Sequence, residues 1–230
     1  MDRIRAITLD LDNTLWEIDP VIRRAEAALW AWLAAHYPRI PERFSSDDVG
    51  EIREMVMAQY REQIHDFRFL RKKVLAELAG RVGYDDGLVE PAFRVFDVAR
   101  NTVEFYPDVL TELQLLSARY RLVAVTNGNA NLETIGIRHL FHDVVTAVDA
   151  GAPKPEQRIF DAAVRIAGVM PDEVVHVGDH PEIDVHGARL AGLRTVWINR
   201  NGAAWPEHLD APDAIVTTMT GLRELLEGNG

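Results

Sequence analysis

The chain has 230 residues, 47% of them hydrophobic and 27% charged, an ordinary globular composition with room for one large domain or for a domain carrying a smaller insertion. Its 25 Lys and Arg against 36 Asp and Glu give a formal charge of −11, which argues against nonspecific binding to nucleic acid or to an anionic membrane. The absence of cysteine excludes disulfides and thiolate metal sites. With no signal-like segment at the start and no apolar run long enough for a bilayer, the expectation is a cytoplasmic monomer or homodimer.

Ile4-Arg5-Ala6-Ile7-Thr8-Leu9 predicts a buried strand that delivers Asp10-Leu11-Asp12-Asn13-Thr14-Leu15 at its C-terminal end. Side chains of an extended segment alternate, so Asp10 and Asp12 start on one side, an arrangement suited to a nucleophile with an acid/base partner. From about residue 16 to about residue 102 the pattern is helical. Asp19 as N-cap and Pro20 at the first helical position open a helix whose apolar face holds Val21, Ile22, Ala25, Leu29, Trp32 and Leu33. Further helices are expected over 46–78, with a break near His65, and over 86–100. The stretch 65–73 is basic and aromatic in an acidic protein, and its Arg68 and Arg71 can pair with a phosphate or carbonyl of a ligand. Equally, Phe67, Phe69 and Leu70 can be core beneath a solvated basic face.

From about residue 103 strands alternate with helices: helix 107–118, strand 122–126, helix 132–140, strand Val144-Val145, helix 157–167, strand 174–177, a helix near 183–191, strand 195–198 and a last strand near 214–216. With the opening strand these make an α/β parallel sheet flanked by helices and interrupted after its first strand by a helical insertion. The C-terminal 227–230 is expected to fray.

Three further polar clusters follow apolar strands, on the sheet edge that carries Asp10 and Asp12. Thr126-Asn127-Gly128-Asn129 offers a hydroxyl, an amide and backbone N–H groups for an anion, although Asn-Gly is also a common turn. Lys154, between Pro153 and Pro155, can be aimed inward by the restricted backbone or simply be solvated. Gly178-Asp179 with Asp184 ends a strand and enters a helix, where either acid can serve as an N-cap. Brought together, Asp10, Asp12, Asp179 and Asp184 repel unless cations compensate them. A hard divalent ion, Mg2+, together with Lys154 supplies that charge and leaves a site suited to a phosphoryl group. On this reading Asp10 attacks phosphorus and Asp12 protonates the leaving alkoxide and then activates water. Thr126, Asn127, Gly128 and Lys154 hold the phosphoryl oxygens.

Asp10-Leu11-Asp12-Asn13-Thr14, Thr126-Asn127-Gly128, Lys154 and Gly178-Asp179 with Asp184, in this order, resemble the four motifs of the haloacid dehalogenase-like (HAD) hydrolases. The resemblance implies a Rossmann-like core over 1–15 and 103–230 and an inserted α-helical cap domain over 16–102 that closes on the site and excludes water. It also implies metal bound by Asp10, Asp179 and the main chain of Asp12, with Asp184 supporting either Lys154 or a metal-bound water. A carboxylate at Asp12 is the pattern of the superfamily's phosphatases and phosphomutases rather than of its dehalogenases. The segments around residues 9–15, 20–26, 126–130 and 176–185 resemble more closely bacterial phosphatases acting on flavin mononucleotide (FMN) and 5-amino-6-(5-phospho-D-ribitylamino)uracil. The expected function is therefore Mg2+-dependent hydrolysis of a small phosphorylated metabolite, with a phosphomutase or a noncatalytic phosphometabolite-binding module as alternatives. No Gly-x-Gly-x-x-Gly follows a strand, which argues against a redox enzyme.

Overall fold

The structure is a computed structural model that describes residues 3–228. The chain divides into two compact units, Met1–Glu17 with Glu104–Gly230, and Ile18–Val103.

The first strand, β1 (Ala6–Leu9), is buried at every position and leads into Asp10. The Ile18–Val103 unit follows, with α1 (Ile18–His36), α2 (Arg39–Arg43), α3 (Ser46–Gln59), α4 (Phe67–Arg81) and α5 (Val89–Arg100). Its core brings Leu29 and Leu33 together with Ile52, Val56, Leu75, Leu78 and Phe96. Helix α1 begins one residue before Asp19, so Asp19 and Pro20 lie in its first turn instead of forming the cap. The expected break near His65 is a full interruption over 60–66. A reciprocal Ser45–Asp48 capping box starts α3, and Asp66 starts α4 by accepting from the Phe69 N–H at 2.9 Å. The expected 86–100 helix opens with a 3-10 turn, Asp86–Leu88, before α5.

The second part of the larger unit runs α6 (Val109–Ser117), β2 (Arg121–Thr126), α7 (Leu132–Ile135), β3 (Asp143–Thr146), α8 (Ala147–Ala150), α9 (Gln157–Ala167), β4 (Val174–Gly178), α10 (Gly187–Leu190), β5 (Arg194–Ile198), β6 (Ala214–Val216) and α11 (Met219–Leu226). All six strands are parallel, in the order β3-β2-β1-β4-β5-β6. Helix α9 buries Ile159, Phe160, Ala163 and Ala167, the i, i+1, i+4, i+8 stripe of an amphipathic helix, with Val123, Val125 and Val145 in the same core.

Two expected helices differ from their patterns. The 132–140 segment stops at Gly136, whose φ of +91° only glycine adopts readily, and resumes as a 3-10 turn. The 183–191 segment begins earlier, as a π-helical turn, Pro181–His186, before α10. Helices α2 and α8, of five and four residues, are too short to show a period, and α11 was not expected although Met219, Leu222, Leu225 and Leu226 recur in it at helical spacing. Among the residues expected to fray, Glu227 pairs with Arg119 at 2.6 Å and Arg223 at 2.9 Å, while Asn229 and Gly230 lie outside the described residues. No described helix is long and apolar enough to cross a membrane.

Strand order reverses direction beside β1, and a crevice at the carboxyl ends of such strands is where α/β sheets bind ligands. Asp10, Thr126 and Asp179 stand at the carboxyl ends of the three adjacent strands β1, β2 and β4.

Candidate active site

The turn after β1 is held by its own backbone. The Leu15 N–H donates to Leu11 O at 2.8 Å and the Asn13 N–H to Trp16 O at 2.7 Å, and Asn13 takes φ = +63°, a left-handed conformation that asparagine tolerates better than most residues. This curl places a donor four residues after each acid. The Thr14 hydroxyl donates to Asp10 Oδ2 at 3.1 Å, and the Trp16 indole N–H to Asp12 Oδ1 at 2.8 Å. From the far side, Arg200 donates to Thr14 O at 2.9 Å, forks onto both Asp108 oxygens at 3.1 and 3.3 Å, and stacks over Tyr106. The turn is thereby fixed against β5's C-terminal loop.

Lys154 is the centre of the site. Its buried ammonium donates to Asp10 Oδ1 at 2.5 Å and to Asp184 Oδ1 at 2.7 Å. Asn127 aims it: the Asn127 amide donates to Lys154 O at 2.9 Å and accepts from the Lys154 N–H at 2.6 Å, a two-point clamp on the loop backbone. Carboxylate oxygens of Asp10, Asp179 and Asp184 all lie within 4.8 Å of one another. The Asp12 carboxylate is not in this trio, so the metal role expected of Asp12 rests on its main chain alone.

Asp184 reaches the trio from the π turn, in which both its own N–H (3.0 Å) and that of Val185 (3.3 Å) donate to His180 O. It then accepts from the His180 N–H at 3.0 Å. Only glycine fits at 178, because a Cβ there would stand 2.3 Å from Asp184 Cγ. Behind Asp184 runs a buried string, with His176 Nε2 3.3 Å from Asp184 Oδ1 and His176 Nδ1 2.9 Å from the Thr8 hydroxyl. Burial, the largest influence on His176, holds its pKa down. The neutral ring therefore donates from Nε2 to Asp184 and accepts at Nδ1 from Thr8.

Three carboxylates around one ammonium leave an excess of negative charge. Burial, aided by Asp184 and Asp179, pushes Asp10 up to about 8 against the pull of Lys154. Burial and then Asp184 push Asp179 up to about 7. Burial also opposes charge on Lys154 and Asp184, but there mutual attraction outweighs it. The Lys154 pKa is raised, by Asp10 and Asp184, and the Asp184 pKa is lowered, by Lys154 and His176. Asp184 and Lys154 are thus a settled ion pair, whereas Asp10 and Asp179 still lack positive charge. An all-oxygen donor set with surplus negative charge fits a hard divalent cation, which Asp10 and Asp179 could hold.

Thr126, Asn127 and Gly128 are brought to the same edge, but their donors are partly engaged. The Gly128 N–H donates to Thr126 Oγ1 at 2.9 Å, closing the turn, and the Asn127 amide is taken by the Lys154 loop. The Thr126 hydroxyl hydrogen remains available. Arg68 and Arg71 lie in the Ile18–Val103 unit and are paired there, Arg68 with Asp97 at 3.0 Å and near Phe93, Arg71 with Glu26 at 2.8 Å and flat on Phe96. Local pattern gives no sign of the supporting contacts made by Thr14, Trp16 and Arg200, nor of those made by Thr8 and His176. The last two are polar residues inside apolar strand runs, and parallel pairing puts them opposite each other, a match that appears only once β1 and β4 are known to be neighbours.

This sheet and this constellation define a HAD-type hydrolase, and the chain belongs to that family: residues 4–192 match the haloacid dehalogenase-like hydrolases. The 5-amino-6-(5-phospho-D-ribitylamino)uracil phosphatase YigB of Escherichia coli (strain K12) is 29% identical over 98% of each chain. The glyceraldehyde 3-phosphate phosphatase of Methanopyrus kandleri is 34% identical over 97% of this chain and 96% of its own. Among solved structures, a 2-haloacid dehalogenase from Pseudomonas syringae pv. Tomato DC3000 superposes with a TM-score of 0.92 at 36% identity, covering 99% of this chain and all of that one.

Proposed function

We propose that the protein is a Mg2+-dependent phosphatase of small phosphorylated metabolites, working through an aspartyl phosphate on Asp10. The observation that carries this reading is the Lys154 ammonium bridging Asp10 and Asp184 beside Asp179, a buried cradle of charge at the nucleophile. An Asp10 carboxylate oxygen bonds to phosphorus as the ester P–O bond breaks, and the departing alkoxide takes a proton from Asp12. Asp12 then removes a proton from water, whose oxygen bonds to phosphorus as the Asp10 O–P bond breaks, releasing phosphate and returning Asp10 as carboxylate. Lys154 and the Thr126 hydroxyl stabilise the phosphoryl oxygens. Mg2+ held by Asp10 and Asp179 supplies the charge neutralisation that keeps Asp10 ionised and offsets phosphoryl charge. The 18–103 unit is assigned the cap's part in choosing the substrate, with Arg68 as a candidate contact.

Similarity to YigB across nearly the whole chain supports 5-amino-6-(5-phospho-D-ribitylamino)uracil as substrate, and the sequence resemblance described above adds FMN as a candidate. The dehalogenase among the solved structures makes carbon–halogen cleavage the second reading. The two differ in what the leaving group needs. A halide departs as a stable anion, whereas an alkoxide needs a proton, and Asp12, oriented by Trp16, is positioned to give one.

The test is phosphate release from FMN, sugar phosphates and nucleotides, with Mg2+ and with EDTA, alongside halide release from 2-chloropropionate. Mg2+-dependent phosphate release with preference for FMN supports the full reading, and even activity across the panel retains only the phosphatase. Halide release alone, or a product that keeps its phosphate, overturns it. Asp10→Asn should abolish turnover with the fold intact by circular dichroism, and near-wild-type turnover would remove Asp10 as nucleophile.

A further inference from the structure

The helices of the Ile18–Val103 unit do not close fully on one another. Between α1, α3 and α4 lies a cavity of about 220 Å3. Its walls include Leu29, Trp30 and Leu33 of α1, Val49 and Met57 of α3, and Leu75 of α4, apolar side chains apart from the Trp30 indole N–H. An apolar cavity of about 150 Å3 stays dry and takes up benzene. The space here fits one six-membered ring with a short chain.

The chemistry changes at the rim, where Glu26 pairs with Arg71 at 2.8 Å and with Arg53 at 3.6 Å. Two cations against one carboxylate leave an excess of one positive charge, against the trend of a protein with net charge −11. Arg71 is fixed, its guanidinium 3.4 Å from the Phe96 ring centroid. Arg53 is half exposed and makes the longer contact with Glu26, so its guanidinium can turn its N–H donors to a second carboxylate at little cost.

We propose that this cavity is a binding site for a small aromatic monocarboxylate, with the ring among the leucines of α1 and α4 and the carboxylate on Arg53 and Arg71. The charge count selects a monoanion, and the volume selects a single ring. An uncharged arene of the same size enters but gains nothing from the rim. A phosphate dianion gains from the rim but has no partner among the apolar walls.

The experiment is titration of the full-length protein with 3-phenylpropionate, followed by ligand-observed NMR, with toluene as the uncharged probe. Saturable binding at about 1 mM or tighter is expected. Val49→Phe, which fills the cavity from the α3 side, should weaken both probes at least about tenfold. Arg53→Gln should weaken the carboxylate about fivefold and leave toluene unchanged. Nuclear Overhauser contacts from the ring protons to the Leu33 and Leu75 methyls locate the ligand in the wild-type protein, so the site remains testable if Val49→Phe fails to fold. No saturation at about 10 mM, contacts to neither methyl, or displacement by inorganic phosphate with Mg2+ would each overturn the proposal.

Discussion

At the scale of single residues, the site depends on close approach as much as on charge. Gly178 contributes no functional group, yet a methyl at that position would collide with the Asp184 carboxylate. Gly178→Ala is expected to leave the sheet intact and to displace Asp184, lowering kcat at least about tenfold, as loss of a positioned electrostatic partner does. Steady-state kinetics with a circular dichroism check would show it. Lys154→Met should act on stability as well as rate, because it leaves Asp10 and Asp184 buried with no ammonium between them. Removing one member of a buried charge cluster costs about 3–5 kcal/mol, read by urea unfolding.

Among the elements, the clamp between the Thr126–Gly128 turn and the Lys154 loop joins two segments far apart in sequence. Asn127→Ala removes a donor and an acceptor from the Lys154 backbone, and an unpaired buried polar group costs about 1–3 kcal/mol. Activity should fall with stability, because the same loop aims the ammonium. This is also where the limits of sequence reading are clearest. The strands and the larger helices were legible because apolar period and turn residues agree in them, and the candidate acids Asp10 and Asp179 stood out because each follows a strand. Asn127 reads as a phosphate ligand or a turn residue; its grip on Lys154 requires the two loops to meet, which local pattern does not encode. Helix α11 escaped for a different reason. It buries only Met219 and Leu222, and it is held instead by polar anchors, Asp108 accepting from the Met219 N–H at 2.6 Å and Glu112 from Arg223 at 2.7 Å. The π turn is invisible to a 3.6-residue pattern, although it delivers Asp184.

For the whole molecule, the charge imbalance of the site predicts how stability responds to pH and metal. Asp10 and Asp179 have folded-state pKa values above their ordinary value, near 8 and 7, so between about pH 4 and 8 the folded protein holds protons that the unfolded chain has released. Their contribution therefore weakens as pH rises through that window. The raised Lys154 and depressed Asp184 contribute fully throughout it, since their stabilisation is lost only at more alkaline and more acid pH respectively. In EDTA the melting temperature should fall by about 5 °C or more from pH 5.5 to 8, and Mg2+ should raise it more at pH 8 than at pH 5.5. Differential scanning calorimetry at the two pH values tests this; an equal Mg2+ effect at both would separate the metal from the Asp10–Asp179 pair.

The position of β1 also bears on how the protein is made. β1 is made before both of its partners, β2, Arg121–Thr126, and β4, Val174–Gly178, with the whole of Ile18–Val103 in between. The nascent chain must therefore carry an unpaired apolar strand at least until β2 has been made, with Arg3 and Arg5 as charged gatekeepers beside it. Asp10, the proposed nucleophile, rides on that strand, and its acidic neighbours Asp179 and Asp184 are translated later still. A stalled or truncated chain cannot hydrolyse metabolites, because the site comes into being only when the last of its strands closes around the first.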